Sequence, residues 1–344
     1  MPKSRSGALW SLILICLISC SEQVKEKSKE PEKEESGIKK IWVDADLAIG
    51  VQNPNGLYGD VDDGFALMHL LHSEKVEVVG VSTVFGNTDI DNAYRLGKEI
   101  RDAFGPKALP VYKGAAKAID LQEIRSNDAV EALAEALQKE KFHIMAIGPA
   151  TNVGLLLLLY PDLASQIKSV VLVAGRRSID HHFKASESHD PPFADLNFDL
   201  DPNAFRILLQ HDIKVVLHPF EISHKVWFGK EELDRLEASG EAGKYLADRS
   251  QNWLKQWSIW GADKYNPFDL LASAYLISEE GFQYEELPVE IRLAEADNIV
   301  SDSSDLRVYK AYLLVSKELE SQRKVFYYHS PPASFTEEFM RHFE

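Results

Sequence analysis

From Ile41 onward, short apolar runs alternate with longer amphipathic stretches, and polar turns separate them. Ile41-Trp42-Val43 is a β-rich run leading into Asp44-Ala45-Asp46, and Asp62-Asp63 opens a helix carrying Phe65, Ala66, Met68, Leu70 and Leu71. Val76 to Thr83 reads as a second strand ending at Gly86-Asn87, followed by a helix from Ala93 to Phe104. Ile144 to Ile147 is a strand ending at Gly148-Pro149, with a helix from Thr151 to Leu159 behind it. Val170 to Val173 ends at Ala174-Gly175, and Val215-Val216-Leu217 is one more strand. Strands this short, alternating with helices, predict an α/β fold: a Rossmann-like open, mostly parallel sheet with helices on both faces. Ligands of such sheets sit outside the carboxyl ends of the strands. Asp44, Asp46, Asn87 and Gly148 all follow predicted strands, so they should converge on one rim.

The first residues break this pattern. Lys3 and Arg5 precede an apolar stretch from Ala8 to Ile18, closed by Leu17-Ile18-Ser19-Cys20. A run this short is a signal-peptide core rather than a membrane-spanning helix. Its ending resembles a bacterial lipobox, in which the cysteine becomes the lipidated first residue; an ordinary secretory signal is the alternative. From Ser21 to Lys40, twelve of the twenty residues are charged. Almost nothing there can be buried, so the stretch predicts a disordered spacer. The expected organisation is residues 1–19 as lipoprotein signal, 20–40 as lipidated cysteine and charged tether, and 41–344 as one domain in the cell envelope.

Both cysteines, Cys16 and Cys20, fall in the signal, which leaves the domain without disulfides or thiolate metal sites. Oxygen-ligated metals stay open. The formal charge of −16 argues against nucleic acid or anionic lipid as a partner.

The acids are unevenly placed. Asp44, Asp46, Asp62 and Asp63 bracket a single strand-to-helix connection. An Asp after a strand is commonly a turn residue or helix cap, and Asp62-Asp63 alone could simply favour a helix dipole. Several anions on one rim repel each other unless a cation or hydrogen-bond donors compensate. Ca²⁺ tolerates the irregular oxygen geometry such a cluster offers.

Val43-Asp44-Ala45-Asp46 followed by Asp62-Asp63-Gly64 resembles the Asp-x-Asp…Asp-Asp signature of the inosine-uridine-preferring nucleoside hydrolase family. Val81 to Asn87, Ile147 to Val153, Asp195 to Pro202 and Pro267 to Ala272 resemble further family motifs, in the same order. The resemblance implies Ca²⁺-dependent hydrolysis of the N-glycosidic bond of a ribonucleoside or related glycoside. It implies that Asp46, Asp63 and Asp269 bind Ca²⁺ by side chain and Ile147 by its carbonyl, with Asp46 also taking a proton from the attacking water. Asp62, Asn87, Asp195 and Asn197 would hold the ribose, together with Asp269, and Asp44 would support the loop from behind. Paired acids beside the sugar would stabilise an oxocarbenium-like transition state.

Three departures bear on the substrate. Fifteen residues, Leu47 to Val61, separate Asp46 from Asp62 where the family has a very short turn. This insert is expected to loop outward; the alternative is that it reshapes the pocket, since loops at this rim carry specificity. Phe268 stands where many members have the histidine that protonates the leaving base. His181, His182, His189 and Tyr265 are candidate replacements by neighbourhood, each also readable as surface or packing. Asp195 stands where the family usually has Glu. Trp253, Trp257 and Trp260 have near-helical spacing, which reads as a core stripe with stacking on a base as the second reading.

The expected partners are a small nucleoside or glycoside and, through the anchor alone, a membrane; a homo-oligomer is compatible with this reading. The rival function is a lipid-anchored nucleoside- or sugar-binding protein that keeps the Ca²⁺ site without catalysis. A metal-dependent phosphohydrolase is disfavoured, because no Lys/Arg anion clamp accompanies the motifs.

The N-terminal pattern carries its own test. Mass spectrometry of the membrane fraction should find Cys20 as an acylated N-terminal residue, and Cys20→Ser should block processing there. An unmodified mature chain beginning at another residue would remove the lipoprotein reading.

Overall fold

The computed structural model describes residues 37–299 and 307–344, with one compact unit over Ile38–Glu344. The signal, Cys20 and most of the tether lie outside the described residues. Nine strands form one sheet: β1 (Lys39–Ala45), β2 (Val76–Thr83), β3 (Val111–Lys113), β4 (Phe142–Ala146), β5 (Ile167–Leu172), β6 (Val215–Leu217), β7 (Gln283–Glu295), β8 (Tyr309–Val315) and β9 (Lys324–Ser330). Their order is β3-β2-β1-β4-β5-β6-β9-β7-β8. The first seven in that order run parallel, and β7 adds antiparallel to β9 and β8. The mostly parallel expectation holds. The antiparallel edge escaped the pattern because β7 exposes most of its length.

The helices are α1 (Asp62–Leu71), α2 (Ile90–Phe104), α3 (Asp128–Lys139), α4 (Thr151–Leu159), α5 (Leu196–Leu200), α6 (Pro202–Leu209), α7 (Phe220–Ser223), α8 (Lys230–Ala238), α9 (Glu241–Trp257), α10 (Leu270–Ile277) and α11 (Phe335–Met340). Side chains of a strand alternate between faces, and two cores result. Ile41, Val43 and Ala45 of β1 join one core with α1, α2, α9 and α10, whereas Trp42 joins the other with α3, α4 and α6. Both faces are therefore covered, which is why the central strands read as unbroken apolar runs. Local capping sets helix starts: the Asp89 side chain accepts from Asn92 N at 2.9 Å, and Asn127 from Val130 N at 3.0 Å.

One boundary moves. β1 begins at Lys39, inside the segment assigned to the tether, with Lys39 and Lys40 paired to Val76 and Glu77. The backbone ladder needs no apolar side chain at a strand's entry, and Lys40 Nζ reaches Glu140 at 2.5 Å.

The order matters for chemistry. Beyond β1 the chain steps outward to β2 and β3, then returns to β4 on β1's other side. The crevice outside β1 and β4 is thus the topological switch point at which open α/β sheets bind ligands.

A buried imidazole near the end of β6 gives a stability test. His218 has no exposed surface, no hydrogen-bond partner on either ring nitrogen, and Tyr275, Phe282 and Tyr328 around it. Burial pushes its pKa down to about 3 from 6.5. The unfolded chain takes up the proton first, so stability falls as pH drops below 6.5 and continues to fall toward 3. The slope from this one group is about 1.4 kcal/mol per pH unit. His218→Phe should flatten urea-measured stability between pH 6 and 4 by that amount; parallel slopes for variant and parent would show that His218 is not responsible.

Candidate active site

Asp44 lies near the carboxyl end of β1, and its Oδ1 accepts from Ser82 Oγ at 2.6 Å and Asn152 Nδ2 at 2.7 Å. Ser82 in turn accepts from Trp42 Nε1, and Asn152 also donates to the Thr83 carbonyl while its Oδ1 accepts from Ala115 N. Asp44 therefore ties β1 to β2 and α4 from behind the rim. Burial raises its pKa to about 6. Ser82 and Asn152 fall inside two of the motifs quoted from the sequence but carry no role there, since polar residues at strand ends and helix starts are too common to mark a network.

Asp46 follows β1. Its Oδ2 accepts from Asn87 N at 2.6 Å, and its own backbone N donates to Asp63 Oδ1 at 3.0 Å. The approach to Asn87 requires Gly86, where a Cβ would lie 1.9 Å from Asp46 Oδ2. Asp62 stitches two helix starts: Oδ1 accepts from Asp63 N and Oδ2 from Asp269 N, both at 3.1 Å. Asp62, Asp63 and Asp269 offer carboxylate oxygens all within 4.8 Å of one another. Across the rim, Asn197 Nδ2 donates to the Ile147 carbonyl at 2.9 Å and to the Val173 carbonyl at 3.0 Å. Asp195 Oδ2 accepts from Gly175 N at 2.9 Å. All the residues expected at the rim are brought together.

The cluster is electrostatically costly. Burial, and then mutual repulsion, push Asp63 and Asp269 well above the usual carboxyl range. Asp46 rises to about 7, chiefly through burial, and burial, helped by repulsion from Asp199, lifts Asp195 to a similar value against the pull of Arg176. Asp46 Oδ1 and Asp63 Oδ2 are buried with no hydrogen-bond partner. Orphaned anionic oxygens converging in one place fit a hard divalent cation with oxygen ligands.

A fifth acid of the connection, Asp60, escaped the sequence reading although it lies two residues before Asp62. It is buried, lines the cavity, and shares a side-chain hydrogen bond with Asp62. It arrives through the insert, which does not simply loop outward. Leu47, Ala48, Ile49 and Val61 have no exposed surface, and the exposed positions lie between them, at Gly50, Gln52 and Pro54 to Leu57. Apolar residues at both ends of the insert draw its arms into the core. Gln256 of α9 then clamps it, accepting from Tyr58 N at 2.7 Å and donating to the Tyr58 carbonyl at 3.1 Å. Asn53 Nδ2 reaches the Asn87 carbonyl at 2.9 Å.

These groups floor a cavity of about 220 Å³ lined by Asp60, Asp62, Asn87, Ile147, Asp195, Asn197 and Asp269 at its polar end. Asp44, Asp46 and Asp63 are fully buried and do not line it. The rest of the lining is apolar: Phe183, Phe193, Phe220 and Phe268 with Trp253, Trp257 and Trp260. The tryptophan stripe is thus both core and wall. None of the candidate replacement acids lines the cavity. Tyr265 is wholly buried in the core, and His189 turns Nδ1 to Ala185 N at 3.1 Å. His182 lies 3.3 Å from Asp297, and the His181 carbonyl accepts from Arg176.

The comparisons with known proteins agree with this geometry. Residues 41–310 match the family model described as inosine-uridine preferring nucleoside hydrolase. The chain is 26% identical over 252 residues to the pyrimidine-specific ribonucleoside hydrolase RihA of Citrobacter koseri, covering 64% of this chain and 77% of that one. Its fold matches the purine-preferring ribonucleoside hydrolase from Gardnerella vaginalis with a TM-score of 0.68 at 19% identity, over 89% of this chain and 98% of the other. It also matches the inosine-uridine preferring nucleoside hydrolase from Bacillus anthracis, with a TM-score of 0.66 at 17% identity over 88% and 98%. A family match across most of the chain, with the motif acids gathered at one switch-point rim, makes this protein a member of the inosine-uridine preferring nucleoside hydrolase family and an N-glycosyl hydrolase.

Proposed function

We propose that the chain hydrolyses the N-glycosidic bond of a ribonucleoside, with one Ca²⁺ in the acid cluster, outside the cytoplasm on a lipid anchor at Cys20. One observation carries the metal reading: two orphaned carboxylate oxygens, on Asp46 and Asp63, inside a fully buried cluster of acids. The tightest carboxylate triad is Asp62, Asp63 and Asp269, not Asp46, Asp63 and Asp269. We nevertheless assign Asp46, Asp63 and Asp269 as side-chain ligands, with the Ile147 carbonyl. Both Asp62 oxygens already accept backbone N–H groups, whereas Asp46 Oδ1 and Asp63 Oδ2 accept none. When bound, the ion would supply Lewis-acid polarisation at the polar end of the cavity.

The chain's own groups do the rest. Asp62, Asn87, Asp195 and Asn197 face the cavity where ribose hydroxyls would sit, and Asp269 closes that end. Asp46 takes the proton of the attacking water at its free oxygen. The carboxylates stabilise positive charge as it develops on the ribose ring. The aromatic end receives the base and excludes water. The names of the relatives span pyrimidine-specific and purine-preferring enzymes, which supports a nucleoside as the substrate class. The binding-protein alternative rests on one observation: among the described residues, no imidazole, phenol or ammonium lines the leaving-group end.

Stripping the metal should expose the repulsion among the buried acids. The chelated protein should melt at lower temperature and recover with Ca²⁺, and Asp63→Ala should weaken Ca²⁺ binding more than Asp44→Ala. Identical melts, with no metal in the Ca²⁺-saturated protein, would remove the site.

Asp46→Asn separates enzyme from binding protein. The amide keeps the shape and an oxygen but cannot accept a proton, so ribose release should drop by a factor on the order of 10²–10⁴ while substrate affinity stays close to the parent's. A parent that releases no ribose from inosine, uridine or the activated p-nitrophenyl riboside, while still binding nucleoside with Ca²⁺ present, would establish the alternative.

A further inference from the structure

Two of the helices that begin at the acid cluster end at a second cavity, lined by three imidazoles. α1 starts with Asp62 and Asp63, and α10 starts behind Asp269. Their other ends face a cavity of about 800 Å³ that also takes in the turn before β2 and the segment around α11. His69 and the C-cap residue His72 come from α1, and His342 from the turn after α11. His69 and His342 stand edge to face, with ring centroids 4.6 Å apart at 89°. None of the three lines the active-site cavity.

Hydrogen bonding fixes the same tautomer on all three rings. His72 Nδ1 lies 2.9 Å from the Met68 carbonyl oxygen, and His342 Nδ1 lies 2.9 Å from that of Glu338. A carbonyl has no proton to give, so each Nδ1 carries the hydrogen and donates. His69 Nδ1 lies 3.0 Å from Ser273 Oγ, which directs its single proton to the Leu270 carbonyl at 2.9 Å. That Nδ1 therefore donates as well. Each ring is left with its lone pair on Nε2. Metal-bound histidine has this form, one ring nitrogen donating to a neighbouring oxygen and the other on the ion.

The lone pair of His69 has no partner. Its Nε2 is buried without a hydrogen bond, and the residue is only 2% exposed. A buried polar nitrogen left in this state costs free energy unless something ligates it. Burial, and then the facing His342 and His72, hold its pKa well below 6.5, so the ring stays neutral and able to coordinate. The charged groups lining the cavity are Glu74, Glu280 and Glu338 against Lys75 and Arg341, a balance that does not oppose a cation.

We infer that His69, His72 and His342 form a site for a divalent transition ion of the Zn²⁺ class, held by their three Nε2 atoms with water completing the shell. Imidazole nitrogen suits such ions, whereas the oxygen-only cluster at the rim suits a hard cation. Among the described residues, only the acid triad already brings three ligand atoms within 4.8 Å of one another. The imidazoles therefore close on the ion by side-chain rotation. Ser273 fixes His69, while His72 and His342 are half-buried, at a helix end and in a turn beside the open cavity. The bound ion pins the segment after α11 to α1 and, through Ser273, to α10.

Metal analysis of the full chain, in detergent and saturated with Ca²⁺, tests the site with Zn²⁺ alone. One equivalent of Zn²⁺ should remain after gel filtration, and the melting temperature should rise as Zn²⁺ is added. His342→Gln changes a half-buried side chain and should weaken Zn²⁺ uptake at least about tenfold, because losing even a ligand's supporting hydrogen bond costs that much. His72→Gln should do the same. Asp63→Ala should take up Zn²⁺ like the parent, which places the ion away from the rim. With Cu²⁺ as the probe, the electron paramagnetic resonance spectrum should show coupling to imidazole nitrogen, and His342→Gln should reduce it. Absence of bound Zn²⁺ overturns the inference. So does uptake that both histidine variants leave unchanged, or that disappears with Asp63→Ala.

Discussion

Like charges packed out of water at one rim are the constraint around which this molecule is arranged. Asp46, Asp62, Asp63 and Asp269 have at most a few per cent of their surface exposed. Burying an unpaired charge is among the most expensive acts in folding, and a second charge nearby adds repulsion. The surrounding backbone answers with donors where it can. Asn87 N, Asp63 N, Asp269 N and Asp46 N each point at a carboxylate oxygen. Two helix starts meet there, so the positive ends of α1 and α10 face the same acids. What the donors do not cover, chiefly Asp46 Oδ1 and Asp63 Oδ2, are oxygens suited to a hard cation.

That arrangement needs a rigid frame, and Asp44 provides it. Its hydrogen bonds to Ser82 and Asn152 lock the ends of β1 and β2 to the start of α4. In the strand register Asp44 pairs with Ser82 on one side and Ala146 on the other, so the switch-point crevice opens beside it. Breaking this brace would leave buried donors unpaired, a loss of roughly 1–3 kcal/mol for each.

The insert joins the acid floor to the aromatic wall. Its arms are core, its base delivers Asp60 beside Asp62, and Gln256 fastens it to the helix that carries Trp253 and Trp257. Floor and wall therefore move together if they move at all. The same helix buries one side of each tryptophan and turns another side to the cavity, which is how one stripe serves both packing and recognition.

The sequence by itself determined the alternation of strands and helices and the place of the acids at strand ends. Those features are local, since period, turn residues and caps are written within a few positions. Val76–Thr83, Thr151–Leu159 and Val215–Leu217 could be read to the residue for that reason. It also showed that Asp46, Asp63, Asn87, Asn197 and Asp269 belong to one family pattern. Only the tertiary structure decided that Asp60 joins them, that the insert is anchored rather than free, and that no histidine among the described residues lines the base end. It alone showed that Phe183, Phe193, Phe220 and Phe268 close around the tryptophans. Most of those facts depend on contacts between residues tens to hundreds of positions apart, such as Tyr58 with Gln256 and Asp62 with Asp269. Composition and spacing carry no record of which distant side chains share a cavity, because packing chooses them after the strands have been ordered.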